Sequence, residues 1–88
     1  MKYQLASTVS LTEVDDEAVL LDLSSGAYYG LNHVGALLIS HLQNQHSVEY
    51  ASAEIAEHYQ TPHATVSEDI RILVEQLLEQ KLIVLLED

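Results

Sequence analysis

Five histidines are the side chains in this chain that could hold a metal ion or transfer a proton: His33, His41, His46, His58 and His63. Their spacing contains no His-x-x-x-His or Glu-x-x-His pair beyond what chance produces, and such pairs place two ligands on one helix face. The chain has no cysteine, which excludes thiolate metal sites, disulfides and a cysteine nucleophile. No serine lies in a Gly-x-Ser-x-Gly elbow, and no glycine-rich phosphate loop is present. We therefore predict a protein without catalytic residues, metal site or cofactor.

Acidic side chains dominate the charge of the chain. Fourteen acidic residues oppose three basic ones, Lys2, Arg71 and Lys81, which gives a formal net charge of −11. The resulting field repels a phosphate backbone, so nucleic acid is not expected as a ligand. The same field would speed association with a partner or peptide rich in Lys and Arg, although surface carboxylates also serve solubility alone.

The length of 88 residues and the hydrophobic content of 48% are typical of a single globular domain, which we place at residues 1–88. The N-terminus lacks the basic segment and apolar run of a signal peptide. The longest uncharged stretch, residues 23–48, is interrupted by polar residues and glycines, so no membrane span is predicted. The absence of cysteine fits the cytoplasm, so we expect a cytoplasmic protein. We also expect a monomer or a weak dimer.

Residues 17–42 organise the predicted fold, because they pass from strand to turn to strand and then into a helix. The apolar runs Ala18–Leu23 and Ala27–Leu31 have strand length, and a Ser-Ser-Gly sequence between them supplies turn residues. Alternating residues at Tyr3–Leu11 predict an earlier strand, which an acidic connection at residues 12–16 joins to the next. We therefore predict a three-stranded antiparallel meander whose third strand, Ala27–Leu31, is an edge.

Three helices are predicted after the strands, because apolar residues then recur at steps of three and four. The predicted ranges are Asn32–Gln43, Tyr50–Tyr59 and residues 63–80, followed by an apolar, strand-like tail at Leu82–Leu86. The fold class is thus α+β, a winged helix-turn-helix-like arrangement of a three-stranded antiparallel sheet followed by three helices. The residues predicted to face the core are Val34, Leu37, Leu38 and Leu42 in the first helix, Ala53, Ile55, Ala56 and Tyr59 in the second, and Val66, Ile70, Leu73, Val74, Leu77 and Leu78 in the third.

A helix-turn-helix outline raises the alternative of a winged-helix DNA-binding regulator. The third helix would then read the DNA, but it carries Glu68, Asp69, Glu75 and Glu79 against a single Arg71. The tail that would form the wing ends in two more acidic residues, at 87–88. These charges disfavour DNA binding.

The third predicted strand instead offers a surface for binding protein. An unpaired strand edge presents amides and carbonyls that are a template for an incoming extended peptide. Tyr28 and Tyr29 point to opposite faces, so one ring packs in the core while the other can line a groove, and Gly30 permits close backbone approach. The alternative is that both tyrosines only cover the sheet. Ile72 interrupts a polar face of the third helix and would form the far wall of a groove if that helix lies beside the edge strand.

Several segments, by their order and spacing, resemble the PqqD-like proteins, also called RiPP precursor peptide recognition elements. The matching segments are EAVLLDL at 17–23, GAYYGLN at 26–32, VGA at 34–36, DIRILVEQL at 69–77 and LI at 82–83. They span nearly the whole chain. The stand-alone size and the Tyr-Tyr-Gly-Leu-Asn strand look most like the lasso peptide type.

The resemblance implies a winged-helix domain that does no chemistry and binds the leader segment of a ribosomally synthesised precursor peptide. The leader would add as a further strand beside the third predicted strand and pack against the third helix. The precursor would then pass to a maturation enzyme, which is a leader-removing cysteine protease in the lasso type and a radical SAM enzyme in the pyrroloquinoline quinone type. The residues that the resemblance implies for leader binding are Ala27, Tyr28, Tyr29, Gly30 and Leu31 on the strand, and Asp69, Arg71, Ile72, Glu75 and Gln76 on the helix.

Overall fold

Five strands and three helices make up residues 1–86, the part of the chain that the computed structural model describes. The last two residues, Glu87 and Asp88, at which the predicted wing ends, lie outside the described residues. The elements in chain order are β1 (Lys2–Leu5), β2 (Val9–Val14), β3 (Glu17–Asp22), β4 (Tyr28–Leu31), α1 (His33–Gln43), α2 (Val48–Tyr59), α3 (His63–Glu79) and β5 (Ile83–Leu86).

Strands β2, β3 and β4 form the predicted antiparallel meander, in the order β2-β3-β4. Ala18 and Leu20 alternate with exposed residues along β3 and are buried, because strand side chains point to opposite faces in turn. The turn into β4 is built on Asp22, whose carboxylate accepts hydrogen bonds from the backbone N–H and the hydroxyl of Ser24. Gly26 has φ +79°, a backbone angle that glycine adopts without strain. The predicted fold class, α+β with a three-stranded antiparallel sheet and three helices, is confirmed.

The first predicted strand, Tyr3–Leu11, is wrong as a single element. The chain turns after Leu5, and β1 pairs antiparallel with β5 in a separate two-stranded sheet. Strand β2 starts at Val9 and continues through residues 12–14, which we expected to be a connection. Only Asp15 and Asp16 form the turn, and Asp15 takes a left-handed φ of 56°. The strand-like tail is confirmed as β5.

Helix α1 follows β4 directly because Asn32 caps it, accepting a hydrogen bond from the N–H of Gly35 over 3.0 Å. A Cβ atom at position 35 would lie 3.0–3.1 Å from the Leu31 side chain, so glycine lets the helix pack closely on the end of β4. Leu38 and Leu42 of the predicted stripe are fully buried, together with Ile39.

Helix α2 begins at Val48, two residues before the predicted start, because Ser47 accepts a hydrogen bond from the N–H of Tyr50. The buried face of α2 also differs from the prediction, because packing against α1 and α3 decides which face is covered. Two residues predicted to face the core, Ala53 and Tyr59, are exposed, whereas Ala51 and Ser52 are buried.

Helix α3 has nearly the predicted bounds and supplies the longest apolar stripe of the core. Val66, Ile70, Val74 and Leu77 are buried at steps of three and four residues, as predicted. Leu78, which was also expected in the core, is 37% exposed because it lies beyond the edge of that stripe. Within residues 1–86, no helix is both long and apolar enough to cross a membrane.

Candidate functional site

One side of β4 is unpaired within the described part of the chain. Strand β4 joins β3 in the register Leu20↔Tyr29 and Ala18↔Leu31, and the hairpin closes with a hydrogen bond from the N–H of Asp22 to the carbonyl of Ala27 over 2.8 Å. Because bonded and non-bonded pairs alternate in an antiparallel ladder, Tyr29 and Leu31 direct their backbone groups toward β3.

The backbone N–H and C=O groups of Tyr28 and Gly30 therefore point to the open edge of the sheet. These two residues offer two donors and two acceptors to an added strand. No strand of residues 1–86 occupies that side. Strand β4 is thus the edge that the sequence predicted, and its edge has the groups that strand addition requires.

A groove separates β4 from α3 and encloses a cavity of about 330 Å³. The side chain of Tyr29 spans it, since its hydroxyl donates a hydrogen bond to Oε1 of Gln76 over 2.9 Å. We call this space the β4–α3 groove. Its lining residues are Tyr29, Gly30, Leu31, Asn32 and Val34 on the strand side, and Asp69, Ile70 and Leu73 on the helix.

The groove contains several of the residues implied for leader binding. Gly30, Leu31 and Asp69 line it, and the Tyr29–Gln76 hydrogen bond joins its two walls. Ala27 lies just before the strand, at the end of the turn.

Two more of these residues are exposed and do not line the groove. Tyr28 is 77% exposed on the opposite face of the sheet from Tyr29, as predicted for neighbouring strand residues. Ile72 is 42% exposed, and helical geometry places it one turn from Asp69 and Gln76, at the outer margin of the same helix face.

The groove is not lined by Arg71 or Glu75. Both line a second cavity, also of about 330 Å³, on the opposite side of α3 beside Tyr3 and Val48. Arg71 donates hydrogen bonds to Glu68 and to Glu75, the latter over 2.6 Å. These contacts lower the pKa of the Glu68 carboxyl and raise that of the Arg71 guanidinium, so the charge of Arg71 is satisfied within its own helix.

Four residues of the groove were not predicted from the sequence: Asn32, Val34, Ile70 and Leu73. Asn32 and Val34 were assigned only to the start of α1, and Ile70 and Leu73 only to the core. The signal was present in the spacing, because residues 69, 73 and 76 recur at steps of four and three and must share one helix face.

Two histidines lie close together between the end of α1 and the start of α2. Nδ1 of His41 and Nδ1 of His46 lie 2.9 Å apart, next to Tyr50. Burial, and then the nearby charge of His46, lower the pKa of His41, while Glu54 acts in the opposite direction. Residues 1–86 contain no group of three or more His, Asp or Glu side chains arranged to hold a metal ion.

Comparison with known proteins identifies the family to which this architecture belongs. The family model for coenzyme PQQ synthesis protein D (PqqD) matches residues 17–83, from the start of β3 to the first residue of β5. The match therefore includes both walls of the β4–α3 groove. A search of curated proteins found no match.

Two solved structures superpose on almost the entire chain, each with a TM-score of 0.87. One is TbiB1 in complex with the TbiA(beta) leader peptide, which is 30% identical and aligns over 97% of this chain and 99% of that chain. The other is a lasso peptide synthetase B1 complexed with the leader peptide, which is 28% identical and aligns over 97% of this chain and 100% of that chain. Since the family model covers most of the sequence and the fold agrees throughout, this chain belongs to the PqqD family.

Proposed function

We propose that this chain binds the leader segment of a ribosomally synthesised precursor peptide by strand addition to β4. The leader fills the β4–α3 groove with the side chains on one of its faces. The chain itself catalyses no reaction and delivers the precursor to a maturation enzyme, the leader protease of a lasso peptide pathway.

The observation that carries this proposal is the open edge of β4 with a groove beside it. The outward backbone groups of Tyr28 and Gly30 would give affinity that is independent of the leader sequence, because any residue except proline supplies matching groups. The side chains of the groove would give selectivity, since alternate residues of an added strand point into it. Two structural neighbours are themselves complexes with leader peptides, which supports the same assignment here.

The affinity for the leader should be low enough to allow release of the precursor. A disordered leader loses conformational entropy when it becomes a strand, which reduces the affinity obtained for a given buried area. Modest affinity suits a carrier that must pass its peptide to an enzyme.

A second candidate is the role named in the family description, coenzyme PQQ synthesis, in which the chain would present a precursor to a radical SAM enzyme. Both candidates use the same groove and differ in the enzyme that receives the peptide. The resemblance of nearly the full chain to two leader-bound proteins, one of them a lasso peptide synthetase B1, favours the first. The neighbouring reading frames distinguish them: a leader protease and a cyclase beside a short precursor favour the lasso role, and a radical SAM enzyme favours the other.

The test is a fluorescence polarisation titration of the labelled leader from the adjacent precursor gene against Gly30→Pro and Gly30→Ala. Proline at this position removes one N–H from the open edge but no bond to β3, so the sheet should be kept. Alanine keeps that N–H, and its Cβ would meet no atom within 4 Å. We expect binding by wild type and Gly30→Ala and none by Gly30→Pro. Equal binding by all three would refute strand addition at β4.

A further inference from the structure

Asp69 is the charged residue that lines the β4–α3 groove, among seven uncharged ones. Within residues 1–86 its carboxylate forms no ion pair and no side-chain hydrogen bond. The nearest basic residue along the helix, Arg71, is held by Glu68 and Glu75 and lies on the opposite side of α3. The groove therefore contains a carboxylate for which the fold supplies no cation.

The Tyr29–Gln76 hydrogen bond defines where Asp69 lies along the groove. Asp69 precedes Gln76 by seven residues, which is about 10 Å along a helix axis. That length equals about three residues of a strand, so Asp69 lies near the opposite end of β4, with Leu31 and Asn32. An added strand would therefore bring one side-chain position close to Asp69.

The exposed side chain of Asp69 shares its cavity with apolar residues of the groove walls. Val34, Ile70 and Leu73 line the same cavity as Asp69. Lys and Arg place an aliphatic stem against apolar surface while the charged end reaches a partner or water. A long basic side chain thus matches this end of the groove in both its stem and its charge.

The charge of the whole chain acts in the same direction. A formal charge of −11 attracts a cationic peptide and repels an anionic one, and a peptide carboxylate in the groove would face Asp69 directly. The other two basic residues, Lys2 and Lys81, lie in β1 and after the end of α3, and neither lines the groove.

We propose that the β4–α3 groove selects leader peptides that carry a Lys or Arg at one fixed position, where the side chain pairs with Asp69. This inference rests on the proposed leader binding and adds the chemical class of peptide that binds. Asp69 is then a specificity-determining residue of the groove.

Selection from a displayed library of random 14-residue peptides tests the inference without knowledge of the natural leader. The library is panned separately on wild type, Asp69→Asn, Glu75→Gln and Gly30→Pro. Asp69→Asn and Glu75→Gln remove the same charge, but Glu75 lies on the far side of α3, so the second variant controls for net charge.

We expect wild type and Glu75→Gln to enrich peptides with a basic residue at one position relative to shared apolar positions. Asp69→Asn should enrich the apolar positions and lose the basic one, and Gly30→Pro should enrich neither. In a titration, Lys→Gln at that position of a selected peptide should weaken binding to wild type roughly fivefold and leave binding to Asp69→Asn unchanged.

The two proposals fail in different ways. Peptides that bind wild type but not Gly30→Pro, and that show no basic preference or the same preference with Asp69→Asn, would overturn the role of Asp69 and leave leader binding intact. Peptides that bind Gly30→Pro as well as wild type, or no enrichment on wild type, would overturn both.

Discussion

The hydroxyl of Tyr29 in β4 donates a hydrogen bond to the side-chain oxygen of Gln76 in α3, over 2.9 Å. The two residues are 47 positions apart in the chain, and their contact joins the edge strand to the longest helix. This bond connects the two walls of the groove. Asn32 and Asp69 line the same groove.

Replacing Tyr29 with Phe should lower the free energy of unfolding by about 0.5–1 kcal/mol, because it removes a partly exposed hydrogen bond and keeps the packing of the ring. Urea unfolding measures the change. The control is a cycle with Gln76→Ala: if the bond is the cause, the double variant should be less destabilised than the sum of the single variants. Strict additivity would contradict it.

Replacing Ile72 with Ser should weaken leader binding by up to about tenfold, because the variant lacks apolar surface that the leader would cover. Its 42% exposure in the free protein means that stability should change little. The same fluorescence polarisation titration measures the affinity.

The matched comparison for Ile72 is Arg71→Gln, one residue away on α3. Because Arg71 lies on the other side of the helix and is paired with Glu68 and Glu75, leader affinity should stay within about twofold of wild type. A larger loss of leader affinity with Arg71→Gln than with Ile72→Ser would indicate that the leader binds on the other side of α3. That result would contradict binding in the β4–α3 groove.

His41 should make a contribution to stability that is lost as the pH drops below about 6.5. Burial and the charge of His46 lower its pKa in the folded chain from the ordinary 6.5, so the unfolded chain binds the proton more readily. The contribution of His41 to the free energy of unfolding is complete above pH 6.5. It is lost as the pH falls from there toward the pKa of His41 in the folded chain.

The measurement is urea unfolding at about pH 7.5 and pH 5.5, for wild type, His41→Gln and His46→Gln. We expect His41→Gln to reduce the difference in stability between the two pH values. His46→Gln should keep part of it, because His41 stays partly buried. An undiminished difference in His41→Gln would show that the pH dependence arises elsewhere.

Local patterns were sufficient for the parts of the fold that depend on near neighbours in the chain. The bounds of α3 follow from the spacing of Val66, Ile70, Val74 and Leu77, and the start of α1 follows from its Asn32 cap. The separate β1–β5 sheet could not be predicted in this way, because its pairing joins Tyr3 to a residue 82 positions later, Leu85. Alternation alone allowed β1 and β2 to be interpreted as one strand.

The geometry of the candidate site follows from the sequence more closely on the strand than on the helix. An edge at Ala27–Leu31 follows from the order of elements along the chain, and the structure places it as expected. The resemblance indicated a stretch of α3 but not which face of the helix points toward β4. Arg71 and Glu75 were therefore grouped with Asp69, although they lie on the opposite side of the helix. The direction of a helix face depends on the packing of α3 against α2 and the sheet, which is a tertiary property.

Amide hydrogen exchange of β4 tests strand addition most directly, measured by NMR with and without saturating leader peptide. In the free protein the amides of Tyr29 and Leu31 should already be protected by β3, whereas those of Tyr28 and Gly30 face the open edge and should exchange fast. On leader binding we predict that exchange at Tyr28 and Gly30 slows roughly tenfold or more. A leader that binds while these two amides exchange as in the free protein would contradict the account.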